Sequence, residues 1–304
     1  MKYIPVEQLN TAAKSPEQLI GDGEKIYAEQ IENAAQGIFE RREKRPVVLL
    51  SGPSGSGKTT SAHRIAVLLA DMGCKAHTIS MDNYFLPMHE NEAARDENGN
   101  IDFESPLRLD IPLFKNHLKM LFKGEEIEVP LFDFAKQERQ SGLPLKRTGG
   151  DIVILEGIHA LNPLVTGNSE DFTTCVYVSV RTRISDGEKI LHPSKIRLMR
   201  RLMRDKLYRG RSISETFEFF KSVERGENLY IMPYKNRANF DIDTFIEYEP
   251  LVYRDILLPE LEKASADCAD YCDYSDIEYF LKLLSPVDSS IVPENSLIRE
   301  FIGG

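Results

Sequence analysis

The sequence predicts an α/β fold in which helices cover both faces of a doubly wound, mostly parallel sheet. Short continuous apolar runs alternate along the chain with amphipathic helical segments, which is typical of strands buried on both faces. A glycine-rich turn joins the first of these runs, residues 47–50, to the helix that follows it. The chain has 304 residues, enough for one large domain or two modest ones.

The elements are expected in a definite order along the chain. Residues 1–45 form a helical extension, because Ser15 and Pro16 give a helix-start signal before Ile20, Ile26 and Ile31. Residues 46–260 form the main domain, with strands predicted at 47–50, 75–80, 151–155, 174–180 and 241–247, and helices at 58–72, 194–208 and from 214 onward. Residues 261–304 are expected to be a helix and a tail.

Residues 82–150 interrupt this alternation, which indicates an inserted region. The segment contains a polar loop at 90–100, a short helix near 111–122 and extended residues around 127–134. The insertion follows the second strand, whose carboxyl end lies at the edge of the sheet where ligands bind in doubly wound folds.

Charge and composition exclude several classes of protein. The formal net charge of −10 argues against a general nucleic-acid or membrane-surface partner. Residues 181–211 are the exception, with eleven Lys or Arg and three Asp or Glu, a net charge of +8. This island suggests a polyanionic ligand, with a solvated basic helix as the alternative. The sequence shows no signal peptide or membrane span, so a cytoplasmic protein is expected, and a homo-oligomer is left open.

The four cysteines match neither a disulfide framework nor a zinc site. Cys74 and Cys175 lie beside apolar strands and are expected to be buried, small hydrophobic residues. Cys268 and Cys272 could share a helix face, but two cysteines alone make a weak metal site.

The glycine-rich turn at residues 52–59 reads Gly-Pro-Ser-Gly-Ser-Gly-Lys-Thr and matches G-x-x-x-x-G-K-[ST]. We call it the P-loop. Between a strand and a helix, its backbone N–H groups and the helix N-terminus can surround a phosphate. Lys58 can bridge the β- and γ-phosphates, and the Thr59 hydroxyl can bind Mg²⁺. We therefore expect ATP and Mg²⁺ as cofactors, with the nucleotide held by Gly52, Ser54, Gly55, Ser56, Gly57, Lys58, Thr59 and Thr60.

Two acidic residues lie directly after predicted strands. Glu156 ends the apolar run 152–155 and can hold Mg²⁺, although a strand-ending acid can also face solvent. Asp82 follows the second strand and could accept a proton from an acceptor hydroxyl, or it could simply cap a turn.

The order of these segments resembles the uridine kinase/phosphoribulokinase family, and within it the uridine–cytidine kinase branch, over about residues 47–260. The resemblance implies a P-loop kinase fold with an acceptor-binding insertion and an arginine-rich helical lid. It also implies transfer of the γ-phosphoryl group of ATP to a hydroxyl, most simply the 5′-hydroxyl of a nucleoside. By the same resemblance Asp82 is the catalytic base, Tyr84 follows it in the acceptor site, and Glu156 binds magnesium.

Two further segments resemble the acceptor site of the family. Residues 102–106, Asp-Phe-Glu-Ser-Pro, are similar to Asn-Phe-Asp-His-Pro and place Glu104 on the ribose hydroxyls. Around residues 131–137, similar to Tyr-Asp-Phe-x-x-His, Phe132 stands at the tyrosine, Phe134 at the phenylalanine and Gln137 at the histidine. Two of these three base-contacting positions differ, so we expect a pocket that is not strictly pyrimidine-selective. Without the resemblance, Glu104 would be a solvated loop acid and the two phenylalanines a strand face.

The basic segment 194–212 resembles the family's lid, Arg-Arg-x-x-Arg-Asp followed by Arg-Gly-Arg. Arg201 and Arg204 share a helix face, and Arg209 and Arg211 follow from the loop beyond. The resemblance implies that these arginines close over the triphosphate, with Arg201 and Arg204 acting with Lys58 and Asp82 in catalysis and also contacting the acceptor. His63 and His159 lack metal-ligand spacing and are expected to pack or to face solvent.

Two alternatives stay open at this point. The first keeps the chemistry but changes the acceptor to a purine nucleoside, a sugar phosphate or a vitamin, as the altered base positions would allow. The second is a nucleotide-dependent regulatory protein, although Asp82 and a lid of four arginines have no obvious purpose in a protein that only binds ATP.

Overall fold

The secondary structure follows the predicted alternation closely. The computed structural model describes residues 2–87, 94–264 and 274–303. In chain order the strands and helices are β1 (Tyr3–Pro5), α1 (Val6–Ala12), α2 (Pro16–Arg41), β2 (Val47–Ser51), α3 (Lys58–Asp71), β3 (Ala76–Ser80), α4 (Ile111–Lys123), β4 (Glu126–Asp133), β5 (Glu138–Lys146), β6 (Ile152–Glu156), α5 (Pro163–Thr166), β7 (Thr173–Ser179), β8 (Arg183–Ser185), β9 (Ile190–Leu191), α6 (Pro193–Arg209), α7 (Ile213–Tyr230), β10 (Phe240–Asp243), α8 (Glu249–Ala264), α9 (Ser275–Leu283) and α10 (Arg299–Ile302).

A parallel sheet of five strands forms the centre of the fold, in the order β10-β7-β2-β6-β3. Every residue of β2, β6 and β7 is buried, because α2, α3 and α8 cover one face and α4 the other. The predicted α/β class with a mostly parallel, doubly wound sheet is therefore confirmed. The chain order reverses on either side of β2, and such a switch point opens a ligand crevice at the carboxyl ends of the strands.

The last core strand is shorter than the sequence predicted. The apolar pattern predicted a strand at residues 241–247, but β10 ends at Asp243. The hydroxyl group of Thr244 donates a hydrogen bond to the carbonyl of Ser56 at 2.8 Å, so the chain leaves the sheet to contact the P-loop. Residues 244–247 then lead directly into α8.

The N-terminus contributes to a second small sheet that the sequence did not reveal. Strand β1 pairs in parallel with β8, and β8 pairs with β9 in a short antiparallel hairpin. The hairpin lies just before α6, so the first residues of the chain help to fix the start of the arginine-rich helix.

The inserted region contains α4 and a hairpin of β4 and β5. The backbone N–H of Phe132 lies 3.4 Å from Oδ1 of Asn83, which ties the hairpin to the turn after β3. Residues 88–93, which include the start of the polar loop predicted at 90–100, lie outside the described residues, as do Cys268 and Cys272. Cys74 and Cys175 are buried, as predicted. Within the described ranges, none of the helices combines the length and the apolar composition that crossing a bilayer requires.

Candidate active site

The P-loop lies at the carboxyl end of β2, where the strand order reverses. Its backbone is tightly packed: a Cβ atom added at Gly52 would stand 2.0 Å from the carbonyl oxygen of Val178, so no larger residue fits there. Gly57 has a φ of 78° in the left-handed region, and it forms the N-cap of α3. These two glycines let the loop curl at the N-terminus of α3, where its partial positive charge favours an anion.

The metal-binding candidates lie side by side. Oγ1 of Thr59 is 3.4 Å from Oε1 of Glu156, because α3 begins beside the end of β6. The ammonium group of Lys58 lies 3.3 Å from the carbonyl of Pro53, within the loop itself. A hydroxyl and a carboxylate are oxygen ligands that Mg²⁺ accepts, with further positions left for water and phosphate oxygens.

Several buried donors around the P-loop have no hydrogen-bond partner among the described residues. They are Oγ of Ser56, Nε of Arg201 and Nε of Arg204. Buried polar groups are almost always paired, so unpaired donors in one place point to a ligand that accepts hydrogen bonds. A polyphosphate offers such acceptors, and the residues present therefore fit ATP.

The lid arginines gather around one buried carboxylate. Asp205 lies 3.8 Å from Arg201, 3.8 Å from Arg204, 3.1 Å from Arg209 and 3.5 Å from Arg211. One negative charge among four guanidinium groups leaves a strong positive excess beside the P-loop, which favours a polyanion. Burial lowers the pKa of Arg201 to about 10, and it also lowers the pKa of Arg204. Both side chains stay charged at neutral pH, and a bound anion would offset the cost of burying these charges.

The position of Arg209 and Arg211 differs from the expected contact with nucleotide. Among the described residues, both form ion pairs with Asp205 and neither donates to the P-loop. Their exposed side chains lie at the rim, since the helix ends at Arg209 and the chain turns away through Gly210. Arg209 is still close enough to lower the pKa of Asp82.

Two arginines of α6 that sequence reasoning missed hold the P-loop in place. Arg197 donates to the carbonyl of Ser54 at 3.1 Å and also pairs with Glu227. Arg200 donates to the carbonyl of Gly55 at 3.0 Å and forms a fully buried ion pair with Glu249. The spacing of these arginines relative to Arg201 and Arg204 places all four on one helix face, a signal that the sequence did contain.

Arg201 reaches the loop directly. Its Nη1 donates to Oγ of Ser54 at 2.6 Å, and its side chain is almost fully buried. Among the four predicted lid arginines, Arg201 is therefore the one with a direct P-loop contact among the described residues.

Asp82 lies in the turn after β3, close enough to Lys58 and Glu156 for their charges to act on its carboxylate. Its side chain keeps access to solvent, yet the surrounding walls desolvate the carboxylate and raise its pKa, and the nearby charge of Glu156 acts in the same direction. Lys58 and Arg209 oppose this shift. A carboxylate with a raised pKa beside the phosphate site is suited to accept a proton from a hydroxyl group.

Glu104 belongs to the same electrostatic neighbourhood. The pKa of Glu104 is raised to about 7, and burial is the main cause. Arg201 and Lys58 act to lower the pKa, and Asp102 and Asp82 act to raise it. The loop that carries Glu104 is anchored on α7, because Asp102 accepts hydrogen bonds of 2.8 Å from both Arg225 and Tyr230. Sequence reasoning missed this anchor, whose partners lie more than 120 residues apart in the chain.

The aromatic residues predicted around the base form a cluster. The rings of Phe132 and Phe134 are 5.0 Å apart, and each lies 6.0 Å from Phe85 in an edge-on arrangement. Phe132 is buried and Phe134 is half exposed, which suits an apolar wall open on one side. Phe85 was not among the predicted residues, although it lies only three positions after Asp82 in the same segment.

Two predicted acceptor residues occupy unexpected positions. Tyr84 is fully buried against Phe114, and its hydroxyl pairs with Nδ1 of His117 at 3.0 Å, so it belongs to the core and not to the cleft. Gln137 lies in the turn of the β4–β5 hairpin with a φ of 57°, and its amide donates to the carbonyl of Phe134. Its side chain therefore closes the turn.

The C-terminal tail covers part of the P-loop. The hydroxyl of Thr60 donates to Glu300 at 2.7 Å, and the side chain of Leu297 packs so closely on Gly57 that an added Cβ would lie 2.7 Å from it. Arg64 of α3 also binds the carbonyl of Asn295. Thr60, predicted to bind nucleotide, thus has an acidic partner from the other end of the chain.

A cavity of about 540 Å³ opens on the other side of the P-loop, bordered by Pro53, Tyr177, Arg197 and Glu227. Asp82, Glu104 and Glu156 do not line it. The cavity therefore lies apart from the charged groups that converge on the other side of the loop.

Comparison with known proteins agrees with this geometry. Residues 47–248 match the model of the Phosphoribulokinase / Uridine kinase family. A protein named uridine kinase from Lactobacillus helveticus is 30% identical over 203 residues, which cover 66% of this chain and 88% of the relative. A second, from Borreliella burgdorferi, is 32% identical over 199 residues, 64% of this chain and 85% of the relative. The solved structure of the YGR205w protein has a TM-score of 0.51 at 17% identity, covering 69% of this chain and 91% of that one, and supports the fold.

Proposed function

Since the chain belongs to the phosphoribulokinase/uridine kinase family of P-loop kinases, we propose that it transfers the γ-phosphoryl group of Mg·ATP to the 5′-hydroxyl of a nucleoside. The observation that carries the proposal is the convergence of Asp82 and Glu104 beside Lys58: Lys58 lowers the pKa of both carboxyl groups, and Asp82 raises the pKa of Glu104. A carboxylate for proton transfer and a second for ribose hydroxyls are what a kinase for a polyhydroxylated acceptor needs.

Nucleotide and metal would be held by residues that are already arranged for them. Lys58, Ser56 and Arg201 would bind phosphate oxygens, and Thr59 with Glu156 would bind Mg²⁺. Bound Mg·ATP supplies the phosphoryl group and the metal charge that offsets the negative charge on its oxygens. The protein contributes positioning and fixed positive charge, since Arg197 and Arg200 hold the loop carbonyls on which this arrangement depends.

The acceptor would lie on the opposite side of the cleft. Its 5′-hydroxyl would donate a proton to the carboxylate of Asp82 as the oxygen attacks phosphorus, and Glu104 would accept hydrogen bonds from the vicinal ribose hydroxyls. Phe85, Phe132 and Phe134 would form an apolar wall for the base. The relatives from Lactobacillus helveticus and Borreliella burgdorferi are named uridine kinase, which supports a pyrimidine nucleoside as the first candidate.

A second candidate keeps the reaction and changes the acceptor to a purine nucleoside, a sugar phosphate or a vitamin. The observation in its favour is the base pocket, where Phe132 lacks a hydroxyl group and the amide of Gln137 is bound to the carbonyl of Phe134. Phe132 has no polar group for the base, and the Gln137 amide, with one N–H used in the turn, offers a different set of donors and acceptors from a histidine.

The test is a screen for ATP-dependent phosphorylation with uridine, cytidine, adenosine, guanosine, ribulose 5-phosphate and small polyols, with ADP formation and phosphorylated product both measured. We expect phosphorylation of at least one nucleoside, and no product when Mg²⁺ is removed by EDTA. Turnover of a sugar phosphate or polyol with no nucleoside turned over would refute the nucleoside assignment and favour the second candidate. ATP hydrolysis that is indifferent to every acceptor would instead indicate a regulatory nucleotide-binding protein.

A further inference from the structure

His159 is a buried residue close to the loop of Glu104, and the proposed function gives it no role. It lies in the turn that follows β6, three residues beyond Glu156, and its exposed fraction is 2%. The turn packs against the segment that carries Asp82, because Gly157 contacts the side chain of Met81 so closely that an added Cβ would stand 2.6 Å from it. The imidazole therefore lies behind the catalytic side of the cleft.

The surroundings of His159 belong to the acceptor-binding loop. Its ring interacts with the backbone carbonyl of Glu104, and its centroid lies 6.2 Å from the ring of Tyr230. The hydroxyl of Tyr230 already donates to Asp102. The pKa of His159 is lowered to about 4, mainly by burial and in part by Lys58, so the imidazole is neutral at physiological pH.

A neutral imidazole carries one N–H group, and its second nitrogen accepts a hydrogen bond. The interaction with the Glu104 carbonyl uses the N–H, because a carbonyl oxygen can only accept. Nδ1 is buried and has no hydrogen-bond partner within the described residues. It is thus a buried acceptor nitrogen without a donor, in a turn next to the loop that carries Glu104.

The buried His117 and the exposed His192 differ from His159 in this respect. Nδ1 of His117, in the second core cluster, pairs with the hydroxyl of Tyr84 at 3.0 Å. Nδ1 of His192, at the start of α6, pairs with the hydroxyl of Ser194 at 3.0 Å. A histidine that serves only packing would be expected to have its buried nitrogens paired in the same way.

We propose that His159 is an acceptor-binding residue whose Nδ1 accepts a hydrogen bond from a hydroxyl group of the phosphoryl acceptor. This deepens the proposed function and rests on it, since the hydroxyl belongs to the molecule that Asp82 and Glu104 bind. The carbonyl of Glu104 orients the ring, so the same loop positions the carboxylate and the imidazole on the acceptor.

The experiment compares the wild type with His159→Phe, which keeps an aromatic ring of similar width but has no nitrogen. Uridine, 2′-deoxyuridine and 3′-deoxyuridine are the acceptor probes. We expect His159→Phe to raise the KM for uridine about 3- to 10-fold, the effect of one lost hydrogen bond, with the KM for ATP unchanged within a factor of about two. His63→Phe, a change at an exposed histidine on α3, is the matched control and should leave both constants unchanged.

The deoxynucleosides separate a direct hydrogen bond from a structural role. In the wild type, removal of the hydroxyl that His159 binds should raise KM by more than it does in His159→Phe, where the bond to the imidazole is already lost and only the bond to Glu104 is left to lose. A KM increase that is the same for all three acceptors would refute direct binding. So would an unchanged KM for uridine in a folded His159→Phe protein.

A second variant covers the case in which His159→Phe does not fold, as judged by circular dichroism and thermal melting. His159→Asn places a polar atom near the position of Nδ1 and should keep the KM for uridine below that of any apolar replacement that folds, such as His159→Leu. Equal KM values for the asparagine and leucine variants would refute the proposal.

Failure of the proposed function has a different result from failure of this inference. If the wild type phosphorylates no nucleoside, the nucleoside assignment is wrong, and the same variants are then compared on the acceptor found in the screen and its deoxy analogues. A KM for that acceptor that is unchanged in His159→Phe overturns the role of His159, whichever acceptor is used.

Discussion

Gly226 offers a direct test of whether Glu104 positions the acceptor. This glycine is buried in α7, where the helix contacts the loop that carries Glu104. A Cβ atom added at Gly226 would stand 2.2 Å from Cβ and 2.7 Å from Cγ of Glu104. The substitution Gly226→Ala therefore acts on Glu104 without changing any residue of the P-loop.

The size of the effect follows from these distances. Carbon atoms in ordinary contact are about 3.5–4.0 Å apart, so the Glu104 side chain must move by roughly 1.3–1.8 Å from its 2.2 Å position. A displacement of about 1 Å in a positioning group can cost about 100-fold in rate. Stability changes less, since overpacking costs about 1–3 kcal/mol and the exchange of a helical glycine for alanine returns about 0.5–1 kcal/mol.

The assay measures kcat/KM for the acceptor, the dissociation constant for ATP and the melting temperature. We expect kcat/KM for the acceptor to fall about 100-fold, while ATP affinity is unchanged and Tm falls by a few degrees. Gly21→Ala is the matched control, because Gly21 is also helical, in α2, and an added Cβ there meets no atom within 4 Å. A Gly226→Ala protein with wild-type acceptor kinetics would refute the assignment of Glu104 to the acceptor site. Equal losses of acceptor and ATP binding would indicate general damage to the fold.

Four further predictions concern single groups of the site. Lys58→Ala should abolish phosphoryl transfer with a normal circular dichroism spectrum, and wild-type turnover would contradict the P-loop assignment. Asp82→Asn should lower kcat by about 10²–10⁴-fold with acceptor binding by calorimetry nearly unchanged, because an amide keeps the shape but takes no proton; a high residual kcat would exclude Asp82 as the base. Because Glu104 has a pKa of about 7 and would bind hydroxyl groups as a carboxylate in the proposed function, kcat/KM for the acceptor should fall as pH decreases below about 7 and level off above it. Glu104→Gln should remove this dependence, and a profile that is the same in both proteins would assign the titration to another group. Glu300→Gln should lower the KM for ATP several-fold, because it removes the negative charge of the carboxylate that lies beside the hydroxyl of Thr60. An unchanged KM would show that this carboxylate does not repel the phosphates.

Local patterns predicted much of the fold and part of the site. The β2–P-loop–α3 unit could be predicted because strand, turn and helix follow one another within 25 residues, and each has its own signal. Helix α2 begins at Pro16, as its start signal indicated. The convergence of Asp82 and Glu156 could also be predicted, since both follow strands of one parallel sheet and such strands end at the same edge.

The resemblance to a family gave Glu104 and the lid arginines, but it did not give their partners. Asp205 forms ion pairs with four arginines. Asp102, in the loop of Glu104, forms an ion pair with Arg225 of α7. The resemblance also placed Tyr84 in the acceptor site, whereas packing against Phe114 buries this ring in the core. Identity of residue type at a motif position does not determine which side of an element faces the cleft.

The sequence by itself determined the class of fold, the P-loop and the edge of the sheet at which the chemistry is expected, because these depend on periodicity and on neighbouring residues. Only the tertiary structure decided which charged groups meet. Arg200 and Gly55 are 145 positions apart, and Thr60 and Glu300 are 240 apart. Whether a buried arginine holds a loop or a ligand, and whether a buried histidine has both nitrogens paired, depends on contacts between distant segments that no local pattern encodes. The strength of those contacts comes from burial, which removes competing water only after the chain has folded.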